Sequence, residues 1–315
     1  MGGSVAVIIV TWNGISYLRE CLPAVLAQDY PRFEVVVVDN GSTDGSVEWI
    51  REHCPEVHVL QNPTNFGFSL ANNQGIRSTD SDYVVTLNND AIPEMGWLQS
   101  LVDAVETTSD VGMIASQICF YDRPNLLDSA GIEVDVLGVA WNRRLGKAVA
   151  DDPTDCEEVF GPSAAAALYR REMLEEIGLF DECYFAYYED VELAWRARRA
   201  GWRCLYAPRA HVLHVHSATG SRVSGFKAYY LGRNKWLTLF RHYPFKRLWI
   251  WVPALVLFDL LSLFSSALKG QMLASLRGRI AAWRMRREVV FGFGINNSDS
   301  VIKWLDPITT LASRF

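Results

Sequence analysis

The N-terminal part of the chain alternates short apolar runs, rich in β-branched residues, with amphipathic stretches of helical spacing. The apolar runs predict strands over 5–10, 33–38, 57–60 and 82–87. The stretches between them predict helices over 16–28, 43–53 and 69–77. Apolar strands separated by helices are typical of βαβ units, in which helices cover both faces of a parallel sheet. The pattern therefore predicts an α/β fold.

Polar, turn-forming residues follow all four predicted strands. The segments are Thr11-Trp12-Asn13-Gly14, Asp39-Asn40-Gly41-Ser42-Thr43-Asp44-Gly45, Asn62-Pro63-Thr64-Asn65-Phe66-Gly67-Phe68 and Asn88-Asn89-Asp90. Each is an ordinary turn sequence on its own. In a parallel sheet, however, ligands bind outside the carboxyl ends of the strands, so four such segments in succession indicate a binding crevice. The sequence contains neither G-x-G-x-x-G nor G-K-[ST], so a dinucleotide-binding Rossmann domain and a P-loop are not supported.

Further along the chain, an acidic pair, Glu189 and Asp190, opens an amphipathic stretch of helical spacing. Negative charge is favoured there because the first N–H groups of a helix have no partner within the helix. Taken alone, the stretch favours an ordinary helix start, with Asp190 as the N-cap and with Glu192 and Arg196 as an i,i+4 ion pair. The polar segments after the four predicted strands favour a functional role for Glu189 and Asp190 alongside this structural one.

The composition is that of a globular protein with a fairly high content of apolar residues. Of 315 residues, 50% are hydrophobic and 21% charged, which argues against disorder. The apolar run at 5–10 is ended at once by a turn, which predicts a buried strand and not a signal peptide. Six scattered cysteines without a C-x-x-C pair predict reduced thiols in a cytosolic setting, with no disulfide frame or zinc site.

The net charge of −6 conceals an acidic body and a basic tail. Residues 226–287 contain twelve Lys and Arg and one acid, Asp259, whereas residues 1–225 contain 16 bases and 32 acids. This asymmetry predicts a soluble domain held against anionic lipid. The tail is too apolar for nucleic acid to be the predicted partner.

The tail contains two apolar stretches that bear on membrane attachment. Residues 248–268 form a 21-residue stretch with a single charge, which is long enough to span a bilayer. Basic residues flank it on both sides, so the positive-inside rule selects no orientation. Residues 271–287 have the composition of an interfacial helix. We predict in-plane or re-entrant attachment; a true span, and a soluble core helix or homodimer contact, are the alternatives.

Taken in order, these segments resemble the inverting nucleotide-sugar glycosyltransferases of the GT-A fold, in glycosyltransferase family two, and particularly its rhamnosyltransferase-like branch. The resemblance covers roughly residues 5–220. Its pieces are Val10-Thr11-Trp12-Asn13, Val38 to Gly45, Asn65-Phe66-Gly67-Phe68, Asn88-Asn89-Asp90, Gly178-Leu179-Phe180-Asp181-Glu182, Tyr188-Glu189-Asp190 and His214. Each piece is weak alone, but the ordered set is specific.

The resemblance implies a Rossmann-like, mostly parallel mixed sheet with flanking helices. It implies a catalytic domain over 1–225, with a nucleotide-binding half at about 1–110 and an acceptor half at about 111–225. The remainder, 226–315, is then a helical, basic, membrane-associated tail. Arg233-Asn234 is similar to a segment that family members carry as they leave the catalytic domain.

The resemblance also assigns donor-binding roles. Thr11 and Asn13 line the base and phosphate region, and Asp39 accepts a hydrogen bond from a pyrimidine ring N–H. An ionised acceptor suits such a contact because its hydrogen bond is stronger than that of a neutral one; an N-cap or Asx-turn is the alternative. The full donor set is Thr11, Trp12, Asn13, Asp39, Asn65, Gly67, Asn88 and Asn89.

At the fourth strand end the sequence departs from the family's Asp-x-Asp, because Asn88 replaces the first acid. Asp90 keeps the last acid and is the implied ligand of Mg²⁺ or Mn²⁺, which would bridge the donor diphosphate. His214 is the implied further metal contact, and an imidazole ligand favours Mn²⁺ over Mg²⁺. The replacement of the first acid by Asn88 is expected to affect mainly the affinity of the site for the metal ion.

For catalysis, the resemblance assigns Asp190 as the base that takes the proton of the incoming hydroxyl, with Glu189 beside it toward the acceptor. Ser163 lies in a segment of small residues that lets the donor sugar approach the backbone. Trp97 and Tyr188, like Trp12, are candidate sugar-stacking rings, although each is equally a core residue.

The expected activity is metal-assisted, inverting transfer of a sugar from a nucleoside-diphosphate donor, with dTDP-rhamnose or a UDP-sugar favoured. The expected acceptor is a lipid-linked or surface glycan at the cytoplasmic face of the membrane. A sugar-phosphate nucleotidylyltransferase would need a glycine-rich, basic loop after the first strand, which Thr11-Trp12-Asn13-Gly14 lacks. The other alternative is a catalytically impaired, membrane-bound glycan-binding or scaffold member of the same fold, which only Asn88 favours.

Overall fold

A computed structural model describes residues 2–215, 224–243 and 245–290; for 245–249 and 287–290 it describes the backbone alone. The strands in these residues are β1 (Val5–Thr11), β2 (Phe33–Asp39), β3 (His58–Gln61), β4 (Tyr83–Asn88), β5 (Ala91–Pro93), β6 (Val111–Phe120), β7 (Arg123–Ser129), β8 (Ile132–Val134), β9 (Ala140–Asn142), β10 (Glu157–Val159), β11 (Ala166–Arg170) and β12 (Arg203–His214). The helices are α1 (Ile15–Leu26), α2 (Ser46–His53), α3 (Gly67–Arg77), α4 (Trp97–Val105), α5 (Arg171–Ile177), α6 (Glu189–Ala200), α7 (Phe226–His242), α8 (Phe245–Leu268) and α9 (Met272–Val290).

Ten strands form one mixed sheet. Its order is β10-β12-β6-β11-β4-β1-β2-β3, with β5 beside β12 and β7 beside β6. β1 pairs in parallel with β2 and β4, and β2 pairs in parallel with β3, so these four strands end at one edge. β11 runs antiparallel between β4 and β6, and β12 pairs in parallel with β6. β12 therefore ends at the same edge as the N-terminal strands, which confirms the predicted mixed, mostly parallel sheet.

Two apolar clusters lie on opposite faces of the sheet. Alternate residues of β1 illustrate the division, since Ile8 belongs to one cluster while Val7 and Ile9 belong to the other. One cluster packs under α1 and α4, and the other under α3, α5, α6 and α7. Because both faces are covered, the central strands are apolar throughout, which is why they were recognisable in the sequence.

The predicted elements are present, with small shifts at their ends. Among the predicted helices of the first 110 residues, the largest shift is at α2, which begins at Ser46 and not at residue 43. Asp44 occupies the extra turn: its Oδ1 accepts a hydrogen bond from Ser46 N at 3.1 Å, and Oδ2 accepts one from Ile15 N at 3.0 Å. The loop after β2 is thereby tied to the start of α1. All six cysteines are free, as predicted.

The tail begins with α7, which packs against the sheet domain and against α9. At the crossing with α9 the two backbones touch: a Cβ on Gly278 would lie 2.1 Å from the carbonyl oxygen of Tyr229. α8 packs in turn against α9. The predicted helices at 248–268 and 271–287 are therefore present, whereas residues 291–315 of the predicted tail lie outside the described part of the chain.

Asp259, the acid within the apolar stretch of α8, is an anchor between helices. Its carboxylate accepts hydrogen bonds from Lys235 Nζ at 2.7 Å, from Trp236 Nε1 at 2.8 Å and from Arg279 Nε at 2.8 Å. α8 is thus held on one side to both α7 and α9. Its other side exposes apolar residues, among them Leu257, Leu260, Leu261 and Phe264.

Among the described helices, Ile250–Leu268 is long and apolar enough to cross a membrane by length and composition, with a mean hydropathy of 1.8. Only 11% of this stretch is buried, so the core of the protein does not account for its apolar character. α9 likewise exposes Leu273, Leu276, Ile280 and Trp283. An exposed apolar surface of this kind marks a contact with lipid or with another protein.

Candidate active site

A cavity of about 520 Å³ opens at the carboxyl edge of the parallel strands. Its walls come from the loops after β1 to β4, from the start of α6, from the end of β12 and from the first turns of α7. The predicted site residues that line it are Thr11, Trp12, Asn65, Gly67, Asn88, Asn89, Asp90, Ser163, Tyr188, Glu189, Asp190 and His214. The fold therefore brings most of the candidates into one cavity.

The loops after β1, β2 and β4 are joined by side-chain hydrogen bonds. Asn89 Nδ2 donates to Thr11 Oγ1 at 2.9 Å, and both side chains are buried. Asn13 adopts a left-handed backbone (φ 51°), and its Oδ1 accepts a hydrogen bond from Thr43 N at 2.8 Å. Asn13 is not among the residues that line the cavity; it connects the loop after β1 to the loop after β2.

Asp39, the last residue of β2, is fully buried and is not among the residues that line the cavity. Oδ2 accepts hydrogen bonds from Gly41 N at 3.1 Å and Ser42 N at 3.0 Å, the Asx-turn that the sequence offered as an alternative. Oδ1 is buried and has no hydrogen-bond partner among the described residues. A buried acceptor without a donor is costly, so a ligand N–H at this position would remove that cost.

The loop after β3 is fixed through Asn40, the residue that follows Asp39. Asn40 Nδ2 donates to Asn65 Oδ1 at 3.3 Å and to the Gly67 carbonyl at 3.1 Å. Asn65 Oδ1 also accepts a hydrogen bond from Gly67 N at 2.9 Å. Gly67 has φ +87°, and a Cβ there would lie 2.6 Å from the Phe185 ring, so only glycine fits.

Asp90 and His214 are brought together by the pairing of β5 with β12. Val215 N donates to the Asp90 carbonyl at 3.1 Å, and His214 stands opposite Ala91 in the ladder. As a result, His214 Nε2 lies 3.2 Å from Asp90 Oδ1 and 3.3 Å from Asn88 Nδ2. The other ring nitrogen, Nδ1, lies 2.8 Å from Asp128 Oδ2.

The donor set at this point fits a hard divalent cation. Burial alone would lower the pKa of His214, but Asp128 and Asp90 raise it to about 9, so the ring is an imidazolium between two carboxylates. A cation that displaced the proton on Nε2 would find a carboxylate oxygen and an imidazole nitrogen side by side, with the ring oriented by Asp128. Two protein ligands suffice for such an ion when phosphate oxygens and water supply the others.

Glu189 and Asp190 occupy the first turn of α6, with Tyr188 at the N-cap. The interpretation of Asp190 as the N-cap is therefore wrong. Its Oδ1 accepts a hydrogen bond from Val191 N at 2.8 Å, and Oδ2 accepts one from Ala164 N at 3.2 Å, which fixes the carboxylate against the small-residue segment. The predicted ion pair between Glu192 and Arg196 is present at 2.8 Å, but it is buried.

The environment of the acidic pair disfavours two negative charges. Burial raises the pKa of Asp190, and the N–H groups of Ala164 and Val191 only partly oppose this shift. Burial and the neighbouring Asp190 raise the pKa of Glu189 well above its usual range. Glu189 Oε2 is buried with no hydrogen-bond partner among the described residues. The pair therefore holds one proton more readily than two isolated carboxylates would.

The remaining candidates are divided between cavity wall and core. Ser163 and Trp12 line the cavity. Tyr188 lines it too, but its hydroxyl is engaged, since it donates to the Gly138 carbonyl at 3.2 Å and accepts from Ala140 N at 3.1 Å. For Trp97 the core alternative is correct and the role of a sugar-stacking ring toward the acceptor is wrong: the ring is fully buried, and its Nε1 donates to Ser116 Oγ at 2.9 Å.

Several residues of the cavity were missed in the sequence. Asp128, which orients His214, lies on β7, a strand whose pairing with β6 is irregular and whose pattern carries no signal. Phe226 and Lys227, at the start of α7, line the cavity from the tail side. The sequence offers no sign that the first tail helix reaches the site.

Comparisons with known proteins bear on this arrangement. The family model "Glycosyl transferase family 2" matches residues 6–178. The chain is 30% identical over 250 residues to the N-acetylglucosaminyl-diphospho-decaprenol L-rhamnosyltransferase of Mycobacterium tuberculosis, a match covering 71% of this chain and 80% of the relative. It is 30% identical over 230 residues to the pre-mycofactocin glycosyltransferase of the same organism, covering 72% of this chain and 46% of that protein.

Two solved structures share the fold. A structure of GalNAc-T7 with UDP, GalNAc and Mn²⁺ superposes with a TM-score of 0.64 at 17% identity, covering 79% of this chain and 50% of that one. The mannosyltransferase PcManGT from Pyrobaculum calidifontis, in complex with GDP-Man and Mn²⁺, superposes with a TM-score of 0.57 at 20% identity, covering 96% of this chain and 86% of that one. Likeness at such identities is a likeness of fold.

Proposed function

The chain belongs to glycosyl transferase family 2, as its ordered motifs predict, and from this membership we propose a specific reaction for it. It is a glycosyltransferase with a GT-A-like fold. The proposed reaction is inverting transfer of a sugar from a nucleoside-diphosphate donor to a hydroxyl of a lipid-linked glycan. The observation that carries the proposal is that one cavity contains the strand-end loops, the Asp90–His214 pair and the Glu189–Asp190 pair.

The donor base is proposed to bind at Asp39. The buried Oδ1 of this residue, which has no hydrogen-bond partner in the described part of the chain, is matched by the ring N–H of a uracil or thymine, which would supply a hydrogen bond. A dTDP- or UDP-sugar is therefore the favoured donor. The similarity to a rhamnosyltransferase favours dTDP-rhamnose among these.

Asp90 and His214 are proposed to hold Mn²⁺ or Mg²⁺, with Asn88 as a neutral neighbour. When bound, the ion neutralises the charge that develops on the departing nucleoside diphosphate. Both structural neighbours contain Mn²⁺, which supports a divalent metal in this fold. The hydrogen bond between Asn89 and Thr11 links the loops after β1 and β4.

Asp190 is proposed as the general base. In a single displacement, the acceptor oxygen forms its bond to the anomeric carbon while the bond to the diphosphate oxygen breaks. The acceptor's proton passes to Asp190, and attack from the opposite side inverts the anomeric centre. A base with a raised pKa binds that proton more strongly, and two backbone N–H groups keep the carboxylate aimed. Glu189, beside it, is proposed to face the acceptor.

The acceptor is proposed to reach the cavity from the membrane. The relative's name specifies a sugar on diphospho-decaprenol, which is a lipid-linked acceptor. In this chain, α7 lines the cavity at one end and packs against α9, which in turn packs against the apolar α8. Because Asp259 is hydrogen-bonded to α7 and α9, we favour α8 lying in the plane of the membrane at its cytoplasmic face over a span. We retain 1–225 as the catalytic domain and 226–315 as the tail, with α7 joining them.

A panel of sugar donors tests the proposed reaction. The full-length protein is incubated with dTDP-rhamnose, UDP-glucose, UDP-N-acetylglucosamine or GDP-mannose, with Mn²⁺ or with EDTA, and release of nucleoside diphosphate is measured with and without a polyprenyl-diphosphate-linked sugar. We expect release from one dTDP or UDP donor that needs both metal and acceptor, because the leaving group must be neutralised and a hydroxyl must attack.

The other outcomes of the panel are equally informative. Release from GDP-mannose alone would contradict the pyrimidine assignment at Asp39. Donor binding without release from any donor would contradict the proposed reaction and support the catalytically impaired alternative. Formation of a nucleotide-sugar from a sugar phosphate would indicate a nucleotidylyltransferase.

Membrane attachment through α8 makes a second prediction. In the double variant Leu257→Glu/Leu261→Glu, binding to vesicles of anionic phospholipid should fall by about 100-fold, because each exposed leucine contributes about 1.5 kcal/mol or more when buried in lipid. Flotation with vesicles measures it. Met95→Glu is the matched control, because Met95 is equally exposed but lies on the catalytic domain. Equal flotation of all three proteins would exclude this surface, and self-association without vesicles would indicate a homodimer contact instead.

A further inference from the structure

The segment between the short helical turn at Glu182–Tyr184 and α6 has an unusual backbone. Phe185, Tyr187 and Tyr188 all have positive φ, at 63°, 67° and 70°. For a residue with a bulky side chain such a conformation costs about 1–3 kcal/mol and persists only where the surroundings impose it. Three in four consecutive residues therefore require an external clamp. This segment, 185–188, is called the aromatic turn below.

The clamp is Asn234, on α7. Its side-chain nitrogen lies 2.9 Å from the carbonyl oxygen of Tyr184, 2.9 Å from that of Ala186 and 2.6 Å from that of Tyr187. Asn234 is fully buried. One amide group thus contacts the backbone immediately before the strained segment and at two positions within it.

Arg233 fixes the orientation of that amide. Its Nε donates to Asn234 Oδ1 at 2.7 Å, so the NH₂ group of Asn234 must face the aromatic turn. The guanidinium also donates to the carbonyls of Cys183 and Tyr184, at 2.6 and 2.7 Å. Arg233 and Asn234 together therefore contact four of the five successive backbone carbonyls from 183 to 187, all except that of Phe185.

The aromatic turn ends at the catalytic pair. Tyr188 is the N-cap of α6, and Glu189 and Asp190 are the next two residues. On its other side, the Phe185 carbonyl accepts hydrogen bonds from Phe68 N at 2.5 Å and Ser69 N at 3.3 Å, at the start of α3. The backbone that Asn234 holds is thus continuous with the base and bonded to the helix that begins at Gly67.

We propose that Asn234 is a positioning residue for the transfer reaction: it holds the aromatic turn in its strained form and so places Asp190 for proton abstraction. This inference rests on the proposed function. It also makes α7 part of the active site, although Asn234 is not among the residues that line the cavity. A residue that positions Asp190 affects the chemical step and leaves donor binding at Asp39 and Asp90 intact. A residue that only packs in the core would have no such selective effect.

The test is the division between kcat and donor KM in Asn234→Ala. We expect kcat to fall by about 100-fold, since a displacement of about 1 Å in a reacting group has an effect of this size. Donor KM, and the dissociation constant of the nucleoside diphosphate with Mn²⁺, should change by less than about threefold, because the side chains proposed to bind the base and the metal, Asp39 and Asp90, are hydrogen-bonded to neither Asn234 nor the aromatic turn.

Thr238→Val is the matched control. Thr238 is fully buried on α7, one turn after Asn234, and its hydroxyl bonds the Tyr184 hydroxyl and the Asn234 carbonyl but no carbonyl of the aromatic turn. Thr238→Val should destabilise the same helix while leaving kcat within about threefold of wild type, because it removes no clamp on the base.

Asn234→Asp is the second variant, in case the alanine variant does not fold. It keeps the size of the side chain and its contact with Arg233 but replaces the N–H donors with an acceptor, and the same loss of kcat is expected. The positioning role would be overturned if the Asn234 variants lost no more kcat than Thr238→Val does. A rise in donor KM as large as the fall in kcat would overturn it as well, and in both cases the proposed wild-type activity would stand. Absence of wild-type turnover with every donor would instead overturn the proposed function.

Discussion

Replacement of Asp190 by asparagine is expected to lower kcat by about 10³-fold, the scale of a lost general base. The amide has the same shape, and its oxygen can still accept a hydrogen bond from Ala164 N or Val191 N, so the start of α6 should keep its place. It has no basic oxygen for the acceptor's proton. Donor affinity should change by less than about threefold, since the donor contacts lie on other loops.

Steady-state kinetics and calorimetric titration of the nucleoside diphosphate measure the two quantities. Glu175→Gln, a carboxylate-to-amide change at an exposed position of α5, is the control and should behave as wild type. If Asp190→Asn kept full transfer activity with the donor still bound, another residue would be the base, and Glu189 would be the first to examine.

The pH dependence gives the same prediction a second readout. Burial raises the pKa of Asp190, and a base works only when deprotonated. Activity of the wild type should therefore be lost as pH falls through this raised pKa, at a higher pH than for an ordinary aspartate near 4. Because Glu189 titrates with it, the acidic limb reports the pair. The residual activity of Asp190→Asn should lack this limb.

The sequence was sufficient for most of the fold because the central strands are buried on both faces. An uninterrupted apolar run flanked by turns predicts such a strand, and the parallel arrangement then places every strand end at one edge. Thr11, Asn65 and Asp90 were recognisable for that reason. Trp97 was not assignable, because an aromatic residue at the start of a helix looks the same whether it faces the cavity or the core.

The parts that the sequence did not reveal depend on contacts between distant elements. Asp128 acts through the ring of His214, 86 residues away, and nothing in the local pattern of β7 signals this. Asn234 acts through three backbone carbonyls of a turn whose positive φ angles no propensity would predict for aromatic residues. Asp259 is similar: in sequence it interrupts an apolar stretch, and only the packing of α7 and α9 explains it.

Removal of the divalent metal, or of its carboxylate ligand, is the other change with a large expected effect. With Asn88 in place of the first acid, Asp90 is the carboxylate that adjoins His214 from the end of β4, so Asp90→Asn leaves an imidazole and neutral amides. Losing several kcal/mol of stabilisation of the leaving group corresponds to a rate loss of about 10²–10³-fold. We expect this loss both for Asp90→Asn and for the wild type in EDTA.

The metal-binding measurement separates this loss from misfolding. Electron paramagnetic resonance of Mn²⁺ in the presence of the nucleoside diphosphate should show binding to the wild type and at least about tenfold weaker binding to Asp90→Asn, because a charged oxygen ligand is lost. Asn88→Asp is the matched variant in the opposite direction: it adds a second carboxylate beside the first, so Mn²⁺ should bind more tightly. Full activity in EDTA, together with unchanged Mn²⁺ binding in both variants, would mean that the Asp90–His214 pair is a buried ion pair that holds β12 to β5 and takes no part in transfer.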